Sequence, residues 1–189
     1  AYTRGGGNVN VNGAGTITAG NRGISAFSTG DGDVSVGNNV ALGTISGGQV
    51  GIDAATSGIR GAITVVTGAG AITGNAAGGN QAANVGINAA STNANATGAV
   101  RVTTGTGAAS GTSGVTAPSR STHAGSTATV NVGGNVTGTG GNGVFATGVS
   151  GVATGTQTGR PSPATITSLA PPSHGSRAAV LTPSAAPTR

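Results

Sequence analysis

Residues 51–74 read GIDAATSGIRGAITVVTGAGAITG, and three short segments inside this stretch decide the fold. In Gly51-Ile52-Asp53-Ala54, Ala62-Ile63-Thr64-Val65 and Ala71-Ile72-Thr73, apolar and polar side chains alternate. A period of two sends the Ile, Val and Ala side chains to one face of a strand and the Asp and Thr side chains to the other. Each segment is three to five residues long, and Gly or Asn bounds most of them, as residues that tolerate tight corners. Two-sided sheets need longer strands. Three such strands fit the three sides of one coil of a parallel β-helix, each pairing with its equivalent in the next coil at ~4.8 Å.

Outward from this stretch the same unit recurs, and a recurring unit is the signature of a stacked architecture. The Gly-Ile/Val-x-Ala element stands at Gly23-Ile24-Ser25-Ala26, Gly51-Ile52-Asp53-Ala54, Gly86-Ile87-Asn88-Ala89, Gly114-Val115-Thr116-Ala117 and Gly143-Val144-Phe145-Ala146. Its spacings are 28, 35, 28 and 29 residues. Between the copies lie Asn8-Val9-Asn10-Val11-Asn12, Asp33-Val34-Ser35-Val36, Ala99-Val100-Arg101-Val102 and Thr129-Val130-Asn131-Val132. Third elements are Thr16-Ile17-Thr18 and Asn135-Val136-Thr137. Residues 1–155 then hold five or six coils, a rod on the order of 25–30 Å long.

Composition agrees with a narrow core. Of 189 residues 39 are Gly, aromatics are 2% and charged residues 6%, with no Cys, Met, Trp, Lys or Glu. An ordinary domain carries about 25% charged residues and large core side chains, so a sandwich or bundle of this chain would lack the bulk to pack its interior. Helices are disfavoured by frequent Gly, at ~1 kcal/mol each. A disordered Gly-rich surface protein is the structural alternative, because Val, Ile, Leu and Phe together are only about 17% of the chain against a threshold of roughly 20%. The richness in Val, Ile and Thr, which suit a pleated surface, favours strands over disorder. Without Cys there are no disulfides, thiolate zinc sites or thiol redox chemistry. No segment approaches the ~18 apolar residues of a membrane helix, and no signal peptide is visible at Ala1-Tyr2-Thr3-Arg4-Gly5.

The pattern changes near Gly159. Residues 160–189 open with Arg160-Pro161-Ser162-Pro163, hold six of the seven prolines and lose the alternation apart from Thr165-Ile166-Thr167. The expected organisation is a β-solenoid repeat region over 1–159 and a Pro/Ser/Ala-rich disordered tail over 160–189.

The run of Gly-Ile-x-Ala with Val-x-Val and with Gly68-Ala69-Gly70-Ala71-Ile72-Thr73-Gly74 resembles the Gly/Thr/Asn-rich passenger regions of proteobacterial autotransporters and the haemagglutinin-type adhesins. The resemblance covers residues 5–155. It implies an all-β, right-handed parallel β-helix, export to the bacterial cell surface or outside it, and adhesion, aggregation or display. The translocator barrel of such proteins, with strands of ~10 alternating residues and aromatic girdles, has no counterpart here, so the expectation is an internal passenger piece.

Residues that could carry chemistry are few. Asp31, Asp33 and Asp53 are the carboxylates. Glycoside hydrolysis on a β-helix needs two carboxylates flanking one bond, which the coils would supply by bringing Asp53 towards the Asp31/Asp33 pair. The structural reading makes Asp31-Gly32-Asp33 a turn and Asp53 an exposed strand residue. Gly30-Asp31-Gly32-Asp33-Val34 echoes a calcium-binding β-roll repeat, but such sites need tandem copies and six to eight oxygens. Gly111-Thr112-Ser113-Gly114-Val115-Thr116-Ala117-Pro118 resembles the serine segment of subtilases, with His123 as the imaginable base, yet its proline is one residue late, no apolar helix pattern follows, and a triad needs an orienting acid as well. His174 lies in the tail. Gly74-Asn75-Ala76-Ala77-Gly78-Gly79 lacks the Gly-Lys-Ser/Thr of a phosphate loop. Arg22, Arg60, Arg101 and Arg120 are scattered singly, without the clustering and stacking platforms of a nucleic-acid binder. Ice or crystalline-polymer binding would need Thr-x-Thr rows in every coil, and only Thr16-Ile17-Thr18 and Thr165-Ile166-Thr167 fit.

The expectation is therefore a non-catalytic extracellular solenoid for adhesion or display, with no catalytic residue, no metal ligand, no cofactor and no nucleic acid. The expected partner is a host or cell-surface glycan or protein, together with self-association through open solenoid ends. The alternative on the same fold is a polysaccharide-active enzyme.

Overall fold

A computed structural model of the chain describes residues 1–74, 84–123, 126–139, 143–147, 153–157 and 165–166. These residues form three parallel sheets, visited in the order A, B, C, once per coil. Sheet A stacks β1 (Tyr2–Thr3), β4 (Arg22–Ser28), β7 (Val50–Thr56), β10 (Val85–Ser91), β13 (Ser113–Pro118), β16 (Val144–Thr147) and β18 (Thr165–Ile166). Sheet B stacks β2 (Val9–Val11), β5 (Val34–Val36), β8 (Ile63–Val66), β11 (Val100–Thr104), β14 (Ala128–Val132) and β17 (Ala153–Gln157). Sheet C stacks β3 (Ile17–Ala19), β6 (Ile45–Gly47), β9 (Ile72–Gly74), β12 (Ala109–Gly111) and β15 (Val136–Gly138). The result is a parallel β-solenoid of about five turns, with no helix among the described residues.

The register converts the alternating pattern into columns. Ile24, Ile52, Ile87, Val115 and Val144 pair rung by rung in sheet A, and two residues further on Ala26, Ala54, Ala89, Ala117 and Ala146 form a second inward column. Sheet B contributes Val9, Val34, Ile63, Val100 and Ala128, and sheet C contributes Ile17, Ile45, Ile72, Ala109 and Val136. These columns make one core. Each buried Ile or Val contributes roughly 1.5–3 kcal/mol.

Two findings differ from the sequence expectation. Sheet A strands reach seven residues, longer than the three to five read from the pattern, because pairing continues past the motif into Phe27-Ser28, Ala55-Thr56 and Ala90-Ser91. The second concerns the glycines. Among the described ones only Gly37 has positive φ, at 72°, so most corner glycines are there for space. A Cβ on Gly51 would lie 2.6 Å from the Gly86 carbonyl oxygen and 2.8 Å from Ile72 Cγ2. Gly23 and Gly114 hold the equivalent place against Ile45 and Val136. The Gly of Gly-Ile-x-Ala thus lets sheet A turn in tightly over the inward column of sheet C.

The tail and Asn75–Gly79 lie outside the described residues, as does His174. The exception is β18, where Thr165 and Ile166 pair with Phe145 and Ala146.

Candidate functional site

The carboxylates are tied into the framework. Asp31 and Asp33 stand in the corner between β4 and β5, with exposed side chains. Asp31 Oδ1 accepts the Ile59 and Arg60 amides at 2.8 and 3.3 Å, and Asp33 Oδ1 accepts the Ala62 amide at 2.9 Å. One coil earlier, Asn8 Oδ1 accepts the Asp33 amide at 2.9 Å. The corner is a ladder in which each side chain satisfies amides of the following coil that no strand pairing reaches. Asp53 is a correction to the exposed-residue reading, since its side chain is only 7% exposed. It accepts from Arg22 Nε at 3.1 Å and from Asn88 Nδ2 at 2.8 Å, and Thr116 Oγ1 donates onward to Asn88 Oδ1 at 2.8 Å. Ser25, Asp53, Asn88 and Thr116 share one register row on the outer face of sheet A; its last three members form a hydrogen-bonded chain whose one charge Arg22 neutralises. Asp53 is mid-strand while Asp31 and Asp33 belong to a corner, and the described residues hold no cluster of three His or Asp suited to a metal.

The same face carries every aromatic side chain of the protein. Tyr2 and Phe27 are paired across β1 and β4, and Phe145 pairs with Thr116 across β13 and β16. Arg4 lies over the Tyr2 ring at 5.7 Å and Arg22 over the Phe27 ring at 5.6 Å, separations at which a guanidinium is attracted to the ring face. Arg4 Nε also donates to the Tyr2 hydroxyl at 3.1 Å. Bonding to Thr29 first, and to Arg4 second, holds the Tyr2 phenol below its ordinary value of 10.0.

Beyond Phe27 the row drops to Ala55. The step leaves a trough of about 260 Å³ lined by Tyr2, Phe27, Thr29, Ala55, Ser57 and Thr92, with Ser28 and Thr56 closing its base. Thr29, Ser57, Thr92 and Arg120 each follow a paired sheet A residue and each donates its amide to the coil before, at 3.0 Å in all four cases. They form one exposed row with three hydroxyls in succession. Sequence reasoning missed this row. Its signal was available, because all four residues stand six positions after the motif Gly.

Other candidates fall apart in space. Ser113 begins β13, a strand rather than a nucleophile turn, and exposed His123 directs its backbone amide to Ser121 Oγ at 3.0 Å. Arg60 and Arg101 occupy a corner and sheet B respectively. Sheet C carries an outward row of Thr18, Ser46, Thr73, Ser110 and Thr137. It is hydroxyl-bearing at every rung, but the neighbouring positions run Thr16, Thr44, Ala71, Ala108 and Asn135, so Thr-x-Thr does not repeat.

The geometry defines a parallel β-solenoid with a structural acidic corner and an aromatic, hydroxyl-rimmed trough on one side. Compared with known proteins, the chain matches no protein-family model, no curated protein and no solved structure. No helix among the described residues is long and apolar enough to cross a membrane.

Proposed function

We propose that this chain is a non-catalytic solenoid of the bacterial cell surface, an autotransporter-passenger-like scaffold that serves adhesion or display. The observation that carries this reading is the outer face of sheet A, where Tyr2 and Phe27 sit side by side on a hydrogen-bonded ladder while all three Asp side chains are engaged in holding coils to one another. A stack of this kind gains length and binding face with each added coil, at little topological cost. The coil of about 28 residues and its Gly/Thr/Asn-rich corners support the passenger resemblance, and with it an extracellular location.

Two measurements test the proposal. Producing cells are probed intact with protease and with antibody against the chain, and adhesion to glycan- and protein-coated surfaces is compared with non-producing cells. Surface exposure with a gain in adhesion is expected; a chain protected inside the cell sinks the reading. In parallel, purified chain is assayed for new reducing ends or unsaturated products from uronate and neutral glycans. No turnover above buffer is expected, and turnover abolished by Asp53→Asn or Asp31→Asn replaces the scaffold with the enzyme alternative.

A further inference from the structure

We infer that the trough on sheet A binds an acidic polysaccharide, a chain of uronic-acid rings lying along the solenoid axis; this rests on the surface reading above. Tyr2, 55% exposed, and half-buried Phe27 stand on adjacent rungs. They offer an apolar wall of the kind that packs against the C–H face of a sugar ring. Opposite them the hydroxyls of Thr29, Ser57 and Thr92 repeat at ~4.8 Å; Thr29 and Thr92 donate to the Thr3 and Thr56 carbonyls at 3.4 and 3.2 Å, which leaves their oxygens to accept from sugar hydroxyls. At about 260 Å³ the trough is smaller than the roughly 300 Å³ at which pockets for drug-sized ligands begin. It therefore seats one ring of a polymer that continues past it along the row.

Charge selects the kind of polymer. Arg4 stands one rung before Thr29 and Arg120 one rung after Thr92, so the hydroxyl row is bracketed by cations about 19 Å apart at ~4.8 Å per rung. Neither Arg4 nor Arg120 has a carboxylate within ion-pair distance among the described residues, whereas the nearby Asp53 is already neutralised by Arg22. Guanidinium groups pair with carboxylates in bidentate fashion, and the rungs set the spacing of the two residues along the axis. A single strand of nucleic acid also stacks and carries charge, but it calls for a continuous groove of cations with aromatic platforms for successive bases, where this row offers hydroxyls between its two arginines. A hydroxyl row with a cation at each end, neither of them in an ion pair among the described residues, fits a polymer whose rings each carry hydroxyls and a carboxylate.

The experiment is calorimetric titration of the full chain with polygalacturonate, with neutral dextran, polyaspartate and single-stranded oligodeoxythymidine as comparison probes. Saturable binding of polygalacturonate is expected, with each comparison probe at least about tenfold weaker. Phe27→Leu, which keeps bulk in the half-buried site, and Arg120→Gln, on the surface, are each expected to weaken binding by about tenfold or more. Phe145→Leu, on the same sheet but outside the trough, is expected to leave affinity unchanged. Far-UV spectra of the variants establish that each is folded. Equal binding of polyaspartate reduces the effect to charge alone and overturns the inference. Tighter binding of the oligonucleotide, no binding of polygalacturonate, or unchanged affinity in folded Phe27→Leu and Arg120→Gln overturns it too. Glycan binding in solution by a chain that is not surface-exposed refutes only the surface reading; exposure and adhesion without glycan binding refute only this inference.

Discussion

Truncating Ile52 to Ala tests whether the apolar residues form axial columns. Ile52 lies in register between Ile24 and Ile87, and it is fully buried. The change removes three carbon groups, and at ~0.8 kcal/mol each the lost transfer energy is about 2.4 kcal/mol. The gap cannot close by settling, because the coils above and below are held at ~4.8 Å by ladder hydrogen bonds. A cavity contribution therefore adds to the transfer loss, and the total approaches about 4 kcal/mol, inside the ~2–5 kcal/mol seen for such truncations. Ile17 supplies the comparison. It begins the sheet C column, is only partly buried and has no coil on its outer side among the described residues, so Ile17→Ala should cost about 1 kcal/mol. With a urea slope of about 2 kcal/mol/M, the midpoint followed by far-UV circular dichroism should fall by about 2 M for Ile52→Ala and about 0.5 M for Ile17→Ala. Equal shifts, or a fall below about 0.5 M for Ile52→Ala, would refute the column packing.

Two further outcomes follow from the corners and the aromatic face. Gly51→Ala should destabilise by roughly 1–3 kcal/mol through overpacking, since its new Cβ meets Gly86 O and Ile72 Cγ2. Gly13→Ala, with nothing within 4 Å of its Cβ, should be neutral or stabilising by up to about 1 kcal/mol; thermal melts of the pair decide, and similar losses at both sites contradict the spacing argument. Tyr2 phenolate absorbance should show a midpoint below 10.0, moving upward in Thr29→Val and, less, in Arg4→Gln. Because the folded-state value is the lower one, this group's stabilisation is full above the ordinary phenol value and is lost as pH falls through the lowered one. A midpoint at or above 10.0 in the folded chain removes the hydrogen bonds from the account.

Much of the fold was legible because strand alternation is a local property. Val9 and Val11, Ile63 and Val65, and Val130 and Val132 announce an inward face within a few residues, and the recurring Gly-Ile-x-Ala sets the coil length. Less was legible where the signal is a neighbour in the next coil. The strands at Ile45–Gly47 and Ala109–Gly111 are too short and too poor in β-branched residues to be read alone, and they exist because Ile17 and Ile72, or Ile72 and Val136, pair beside them. The glycines were recognisable as corners, but their reason, close approach of one coil to the next, is not a backbone preference that one strand displays.

The sequence by itself pointed to short parallel strands stacked around a narrow Val/Ile/Ala core, because a period of two, a coil near 28 residues and a near absence of bulky side chains fit no sandwich or bundle. Only the tertiary structure decided what the coils place side by side. Residues about 28 to 35 positions apart become neighbours in adjacent coils, so register joins Asp53, Asn88 and Thr116 into one row of polar contacts that the Arg22 side chain reaches from the coil before. The same register sets Tyr2 against Phe27 and lines up Thr29, Ser57 and Thr92. The spacing between motif glycines varies, at 28, 35, 28 and 29 residues, yet the columns hold. It is therefore the pairing and the buried columns that set these juxtapositions, and a one-residue slip of the pairing would turn the row to another face.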